Sequence, residues 1–248
     1  MKFLSISCII LLNHVLTIWS IHLDDVHSKQ QPIGIHRDDV VGEPMMVRFE
    51  DQMNNGVKPV EITVYLEALC PFCVLFVHDQ LFPTFERLRR TGILKVRLYA
   101  YGNAEETWNG VKWVYKCQHG QRECNLNLLL TCAFSKLNDA QKVPFLHCME
   151  TRLRVHDGKK CLKEVGADWR AIYKCYYGNE GNRLQHEVGK IQNSLRPPKK
   201  FVPWILVDGY HSDDWYEHIK HDMLSFVCKV YKGVKPNECL TLKKEGMN

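Results

Sequence analysis

Several features are missing from this 248-residue chain, and each absence removes a class of answers. Beyond residue 20 no stretch is long and apolar enough to span a bilayer, which takes about 20 mostly apolar residues. Charge of one sign is missing too. Lys and Arg number 33 against 28 Asp and Glu, and the net +5 is scattered apart from short runs such as Arg87-Leu88-Arg89-Arg90 and Lys199-Lys200. That balance gives no electrostatic footprint for nucleic acid or for an anionic membrane. There is no internal repeat and no low-complexity tract, so solenoid and linker architectures are excluded. Finally, no Asn-x-Ser/Thr acceptor for an N-glycan occurs; Asn237-Glu238-Cys239 is a rare variant of that pattern.

Cysteine, by contrast, is abundant. Of eleven, Cys8 falls in an N-terminal apolar stretch, Phe3 to Trp19, that follows Met1 and Lys2 and is broken by Asn13 and His14. A basic start, a short apolar region and a small residue at Ser20 predict a cleaved signal peptide over 1–20; an N-terminal anchor is the competing reading. Ten cysteines then remain in an exported chain, an even count that predicts disulfides. Residues 21–58 mix His, Asp, Gln, Pro and Gly with weak periodicity and are expected to be a flexible leader or propeptide. The rest is long enough for one domain with a sizeable insertion.

Val60 to Leu66 is β-branched and apolar and predicts a strand. Cys70-Pro71-Phe72-Cys73 follows, with Pro71 at a favoured first helical position. Val74, Leu75, Val77, His78, Leu81, Phe82, Phe85 and Leu88 recur at helical spacing until Gly92, and Pro83 should kink that helix. Ile93 to Tyr101 alternates as a second strand. Residues 102–116 connect, with strand character near Val111 to Tyr115. From about Arg122 to Lys190 the chain is helical in pattern. Phe201 to Tyr210 predicts a proline, a strand and an Asp208-Gly209 hairpin turn, and a last helix spans roughly 212–232. The order β–CxxC–α–β, with a distant Val202-Pro203 before a strand, predicts a thioredoxin-like α/β fold carrying a disulfide-stapled helical insertion.

The chemistry expected at Cys70 is thiol–disulfide exchange. Only the thiolate attacks, and an unperturbed cysteine is ionised in roughly one molecule in three thousand at pH 5. The helix N-terminus supplies free N–H groups and a positive dipole end that lower the pKa. Cys70 is therefore the expected nucleophile and Cys73, one turn on and more buried, the resolving thiol. Glu67 and His78 are the nearby ionisable candidates. Half of a zinc site and an inert structural pair are the competing readings of CxxC. Val202 and Pro203, with Pro203 in a cis peptide, are expected to bind an extended substrate.

The second constellation is Cys117-Gln118-His119-Gly120-Gln121-Arg122-Glu123-Cys124-Asn125-Leu126-Asn127-Leu128-Leu129-Leu130-Thr131-Cys132. Its spacing matches no common zinc pattern, so no metal is expected, and His119 is taken as a loop or hydrogen-bonding residue. The run fills C-Q-H-G-x2-E-C-x2-N-x4-C, and the chain here resembles the gamma-interferon-inducible lysosomal thiol reductases over roughly 60–240. The resemblance implies a thioredoxin-like protein with a helical insertion that reduces protein disulfides, often at acidic pH, and aids unfolding of endocytosed antigens. It places the catalytic pair at Cys70 and Cys73 and gives the run itself no catalytic role. Two departures stand out. Glycan-based delivery to lysosomes, used by mammalian members, lacks its acceptor here, and Pro71-Phe72 between the cysteines bears on potential and substrate range.

The expectations that follow are these. Residues 59–240 form the domain, with the insertion at about 117–195 and a C-terminal tail at 241–248. Cys117, Cys124, Cys132, Cys148, Cys161, Cys175, Cys228 and Cys239 form structural disulfides of unassigned pairing, since eight cysteines allow 105 arrangements. The protein is a monomer, secreted or lysosomal/endosomal, without stable membrane association or nucleic-acid partner; the chain ends Glu-Gly-Met-Asn, without an endoplasmic-reticulum retention signal. It acts on disulfide-bonded proteins with no bound cofactor, an external low-molecular-weight thiol serving as reductant. A secretory-pathway oxidase or isomerase, and a non-catalytic disulfide-rich binding protein, are the alternatives.

Overall fold

The computed structural model describes residues 56–240. The expected signal peptide, the leader up to residue 55 and the 241–248 tail lie outside the described residues.

Strand β1 (Val60–Leu66) is buried along its length except at Glu61, the pattern of a strand covered on both faces. Helix α1 (Pro71–Phe76) follows, then a π-turn (Val77–Leu81) and α2 (Phe82–Leu88). Pro83 acts one turn upstream of itself. It has no N–H for the carbonyl four residues back, and the ladder widens there, so that the Phe82 N–H donates to Val77, five residues back. Strand β2 (Leu94–Ala100) then runs parallel to β1, from Val60 opposite Leu94 to Leu66 opposite Ala100.

Where the sequence suggests only some strand character, the chain forms a hairpin of β3 (Glu105–Trp108) and β4 (Trp113–Lys116). Asn109-Gly110 makes its turn: the Asn109 side chain accepts from the N–H groups of Val111 and Lys112, and Gly110 has φ 92°. The helical region is not one run but five helices and a turn: α3 (Gln121–Lys136), α4 (Asp139–Arg152), a 3-10 turn (Val155–Asp157), α5 (Gly158–Glu164), α6 (Trp169–Tyr177) and α7 (Asn179–Asn193). Asn138 opens α4 with a reciprocal capping box to Gln141.

Strand β5 (Trp204–Val207) pairs antiparallel with β1, giving the sheet order β2-β1-β5. The Asp208-Gly209 turn expected here forms, with φ 49° and 87° at its two central residues and Val207 and Tyr210 exchanging both backbone hydrogen bonds, but no second strand follows it. β5 already has β1 as its partner, a single bridge joins Val207 to Tyr210, and Ser212 then caps α8 (Asp213–Val230) by accepting from the Trp215 N–H. Nor is α8 continuous. Asp222 (φ −153°, ψ 75°) breaks it, and Gln80 from the π-turn fills the break, donating to the His221 carbonyl at 3.1 Å and accepting from the Met223 N–H at 3.0 Å. A short helix, α9 (Asn237–Leu240), ends the described chain.

The insertion is bolted to the sheet by side chains that satisfy carbonyls at the end of β2 and just past it. Thr131 and Gln185 donate to Ala100, Asn127 to Tyr101 and Gln192 to Gly102. All four donors are buried, so each bond replaces a carbonyl otherwise bare in the interior. Disulfides close the rest. Cys132–Cys175 joins α3 to α6, Cys148–Cys161 joins α4 to α5, and Cys228–Cys239 joins α8 to α9. Cys117–Cys124 closes the loop into α3, while Cys70 and Cys73 are unbridged. The architecture is a thioredoxin-like α/β fold with a disulfide-stapled helical insertion.

Loop entropy ranks these bridges. Cys132–Cys175 spans 43 residues and the others 13 or fewer. The Cys132→Ala/Cys175→Ala variant is expected to lose about 4 kcal/mol, against about 3 kcal/mol or less for each shorter loop. Thermal melting should show the largest Tm drop, on the order of 10 °C, for that pair.

Candidate active site

Cys70 is the N-cap of α1, its backbone extended at φ −70°, with Pro71 as the first helical residue. Its thiol donates to the Val202 carbonyl at 3.9 Å, across 132 residues of sequence. The Val202-Pro203 peptide is cis and immediately precedes β5. Cys70, Val202 and Pro203, marked separately in the sequence, thus face one another. Cys73 lies one turn into α1 and is fully buried, while 6% of Cys70 is exposed.

The two thiols are electrostatically unequal. Cys70 is brought down to about 6, first because the Cys73 thiol donates a hydrogen bond to its sulfur. The backbone N–H groups of Cys73 and Phe72 and the His119 imidazole add to this, and burial opposes it. Cys73 is pushed well above the ordinary thiol value, by burial first and then by its bond to Cys70 and the charge there. Near pH 6 one sulfur is half ionised while the other holds its proton.

The run from Cys117 to Cys132 turns out to abut this pair. Asn127 accepts from the Ala68 N–H at 2.9 Å and so braces the loop that leads into Cys70. His119 Nδ1 bonds the Glu123 carboxylate and stands 3.7 Å from Glu67 Oε1. Glu123, chiefly through that bond, and then the charge of Glu67 hold the imidazole protonated above its usual range. Glu67 is buried with its Oε2 accepting from the Asn103 N–H at 2.7 Å, and burial raises its carboxyl. Gly102 makes room for it: at φ 65°, a Cβ there would lie 2.1 Å from that oxygen. Lys199 Nζ, lowered by burial, donates to Asn103 Oδ1 at 2.6 Å.

Glu67 is therefore at the site as expected, but His78 is not. Its ring packs edge-on against His147, which stacks on Phe82, and its bond is to the Thr151 hydroxyl rather than to a thiol. His119, Glu123, Asn127 and Lys199 were not singled out as site residues by sequence reasoning; the compact run at 117–132 was the available signal for the first three. Donor atoms of Glu67, His119 and Glu123 lie within 4.8 Å of one another, a spacing that suits an ion. All three residues are already engaged, Glu67 with Asn103 and His119 with Glu123.

Beside the cysteines a cleft of about 410 Å³ is lined by Phe72, Leu75, Phe76, Pro203 and Tyr216. Phe72 is 71% and Leu75 56% exposed, an apolar rim beside the cysteine pair. A larger cleft, about 930 Å³, lies on the insertion around Trp169 and Tyr173 and touches neither thiol.

Residues 61–165 match the family model described as gamma interferon inducible lysosomal thiol reductase. A gamma-interferon-inducible lysosomal thiol reductase of Carassius auratus is 37% identical over 194 residues, 77% of this chain and 76% of that protein. The chain belongs to the gamma-interferon-inducible lysosomal thiol reductase family. Two further relatives extend the likeness: the Mus musculus protein of the same name, 34% identical over 74% of this chain and 73% of its own length, and a gamma-interferon-responsive lysosomal thiol protein of Arabidopsis thaliana, 31% identical over 76% and 78%. Among solved structures, the thiol-disulfide oxidoreductase MdbA of Actinomyces oris superposes with a TM-score of 0.47 at 10% identity, over 73% of this chain and 83% of that one. Membership makes the protein a thiol reductase acting on disulfides.

In this thiol reductase, the alkylation rate of reduced Cys70 plotted against pH should show a midpoint near 6. Cys73→Ala, which removes the largest cause, should move that midpoint up further than His119→Ala does. Rapid-mixing alkylation with iodoacetamide checks the order.

Proposed function

We propose that Cys70 is the attacking thiolate and Cys73 the resolving thiol of a reductase that acts on disulfide-bonded proteins at acidic pH. The observation that carries this is the Cys70 value of about 6 beside a fully buried, protonated Cys73. At pH 5 roughly one Cys70 in eleven is then ionised, against roughly one in three thousand for an unperturbed thiol. The Cys70 thiolate attacks one sulfur of the substrate disulfide, and the other substrate sulfur leaves with the electron pair. Cys73 attacks the mixed disulfide, releases the second substrate sulfur and leaves a Cys70–Cys73 disulfide. An external low-molecular-weight thiol, cysteine or glutathione, returns that bridge to the dithiol. Two sulfurs carry both electrons, so the cycle calls for no bound cofactor.

The substrate lies as an extended segment against Val202 and Pro203. The nearness of the Val202 carbonyl to Cys70 and the exposed Phe72 and Leu75 support this placement. An apolar rim of this kind suits unfolded polypeptide, whose apolar side chains are uncovered. The monomer works in the lumen of the secretory pathway, in lysosomes or endosomes, or outside the cell. Four disulfides and relatives named lysosomal support such a compartment. Among the described residues no helix is long and apolar enough to cross a membrane.

Insulin reduction at pH 5 tests the assignment. Cys70→Ser should abolish it, and Cys73→Ser should accumulate mixed disulfides on non-reducing gels. Below pH 6 the rate of the first attack should fall about tenfold per pH unit, and above it level off. Undiminished reduction by Cys70→Ser would overturn the assignment. A potential near −120 to −180 mV would shift the reading to an oxidase or isomerase.

A further inference from the structure

The cleft beside the cysteines has walls from three distant parts of the chain. Phe72 and Leu75 of α1 supply one, the cis proline Pro203 a second, and Tyr216 with Lys220 of α8 the third. Its surface next to the cysteines is apolar. Phe72 and Leu75 are exposed, and the Tyr216 ring packs on the ring of Phe201, just before Val202-Pro203, with 4.9 Å between centroids. The Lys220 ammonium is already paired with Glu217 at 2.7 Å. Large apolar side chains left open around a concavity mark a surface that is covered in use.

One side chain ties two of these walls together. Gln80, in the π-turn after α1, reaches α8 at its break. Its amide donates to the His221 carbonyl at 3.1 Å and accepts from the Met223 N–H at 3.0 Å. Met223 is fully buried, so water cannot take over that N–H. An apolar residue at position 80 would leave both backbone groups without this partner, and α8 would have to shift to satisfy them. The separation of α1 from α8, and with it the width of the cleft, is set by the reach of one glutamine.

Pro203 belongs both to the cleft and to the peptide that faces Cys70. A substrate segment laid against Val202 and Pro203 with its half-cystine at Cys70 therefore runs past the mouth of the cleft. Side chains alternate along an extended segment, so the next one on the half-cystine's face is two positions away, about 7 Å along the chain. At about 410 Å³ the cleft is at the small end of ligand pockets, which run from about 300 to 1,000 Å³, and it suits one large side chain rather than a folded surface.

We infer that this cleft is the subsite for one aromatic or aliphatic side chain two residues from the reacting half-cystine, and that Gln80 is the positioning residue that sets its width. The ligand is an unfolded segment in which one residue of any kind separates the half-cystine from an apolar one. In a folded substrate such a side chain is held in the core, so the subsite selects disulfides whose surroundings have come open.

The subsite rests on the assignment of Cys70 as the attacking thiolate, and the experiment separates the two. Full-length reduced protein is given peptide disulfides at pH 5 with Phe, Leu, Ala or Asn placed one or two residues before or after the half-cystine, and kcat/KM is measured for each. In wild type, Phe or Leu two positions away on one side should raise kcat/KM over Ala on the order of tenfold, from partial burial of that side chain. The same changes one position away, where the side chain points off the enzyme, should move it by less than about twofold. Leu75→Ala, at a largely exposed position, and Gln80→Met, which keeps the length but loses both bonds, should each lower the Phe-to-Ala ratio at two positions by about threefold or more. That ratio compares peptides on one variant, so a smaller fraction of active protein does not move it. Gln80→Glu, which still accepts from the Met223 N–H, should keep more of the ratio than Gln80→Met. A wild type indifferent to the residue two positions away on both sides, or as responsive at one position as at two, would overturn the subsite. A ratio lowered by Leu75→Ala but untouched by Gln80→Met would overturn the role of Gln80. Reduction of the same peptides that persists in Cys70→Ser would instead overturn the assignment of Cys70.

Discussion

The structure turns on one constraint: a negative charge must sit on a sulfur that is almost wholly out of water. Cys70 meets it at a helix start, where two backbone N–H groups have no carbonyl of their own to serve, and with a thiol donor one turn away. The environment around that charge contains three buried acids, Glu67, Glu123 and Glu150, and would oppose it if all were ionised. Glu67 and Glu150 resist ionisation through burial, and Glu123 is matched by an imidazolium. Anion and acids coexist because the acids are rationed in charge.

The insertion is part of that arrangement rather than an appendage to it. Asn127 holds the loop before Cys70, the same helix carries Glu123 and ends the loop carrying His119, and α4 brings Glu150. The helical block is pinned to the sheet through carbonyls at the end of β2, whose partner β1 leads straight into the cysteines. A displacement of the insertion would thus reach the thiolate through two short paths, a backbone brace and a charge.

Much of this was legible from residue pattern. β1, the CxxC helix and β2 follow from β-branched runs, a proline at the first helical position and 3.6-residue spacing, and all three are where the pattern puts them. Other features depend on partners that pattern does not display. Asp208-Gly209 is a sound hairpin signal, but β5 takes β1 as its neighbour and the turn leads into a helix. The break at Asp222 exists because Gln80, distant in sequence, supplies the missing backbone partners. At the site, reactive cysteines announce themselves by spacing, whereas Gln80 does not: in the π-turn it is one polar residue among several, and only the tertiary packing shows that its amide reaches α8.

The four bridges have a bearing on the protein's own survival. A disulfide reductase is a hazard to every disulfide in its vicinity, and its own are the nearest and most concentrated. All eight bridged cysteines are 9% exposed or less, and Cys132, Cys161 and Cys175 are wholly buried. Thiol exchange needs the attacking sulfur to approach along the S–S axis, which a second copy of Cys70, itself recessed at a helix start, cannot do against a covered bond. The proposed selectivity for unfolded chains and immunity from self-reduction are then the same property: such an enzyme cuts what folding has failed to hide.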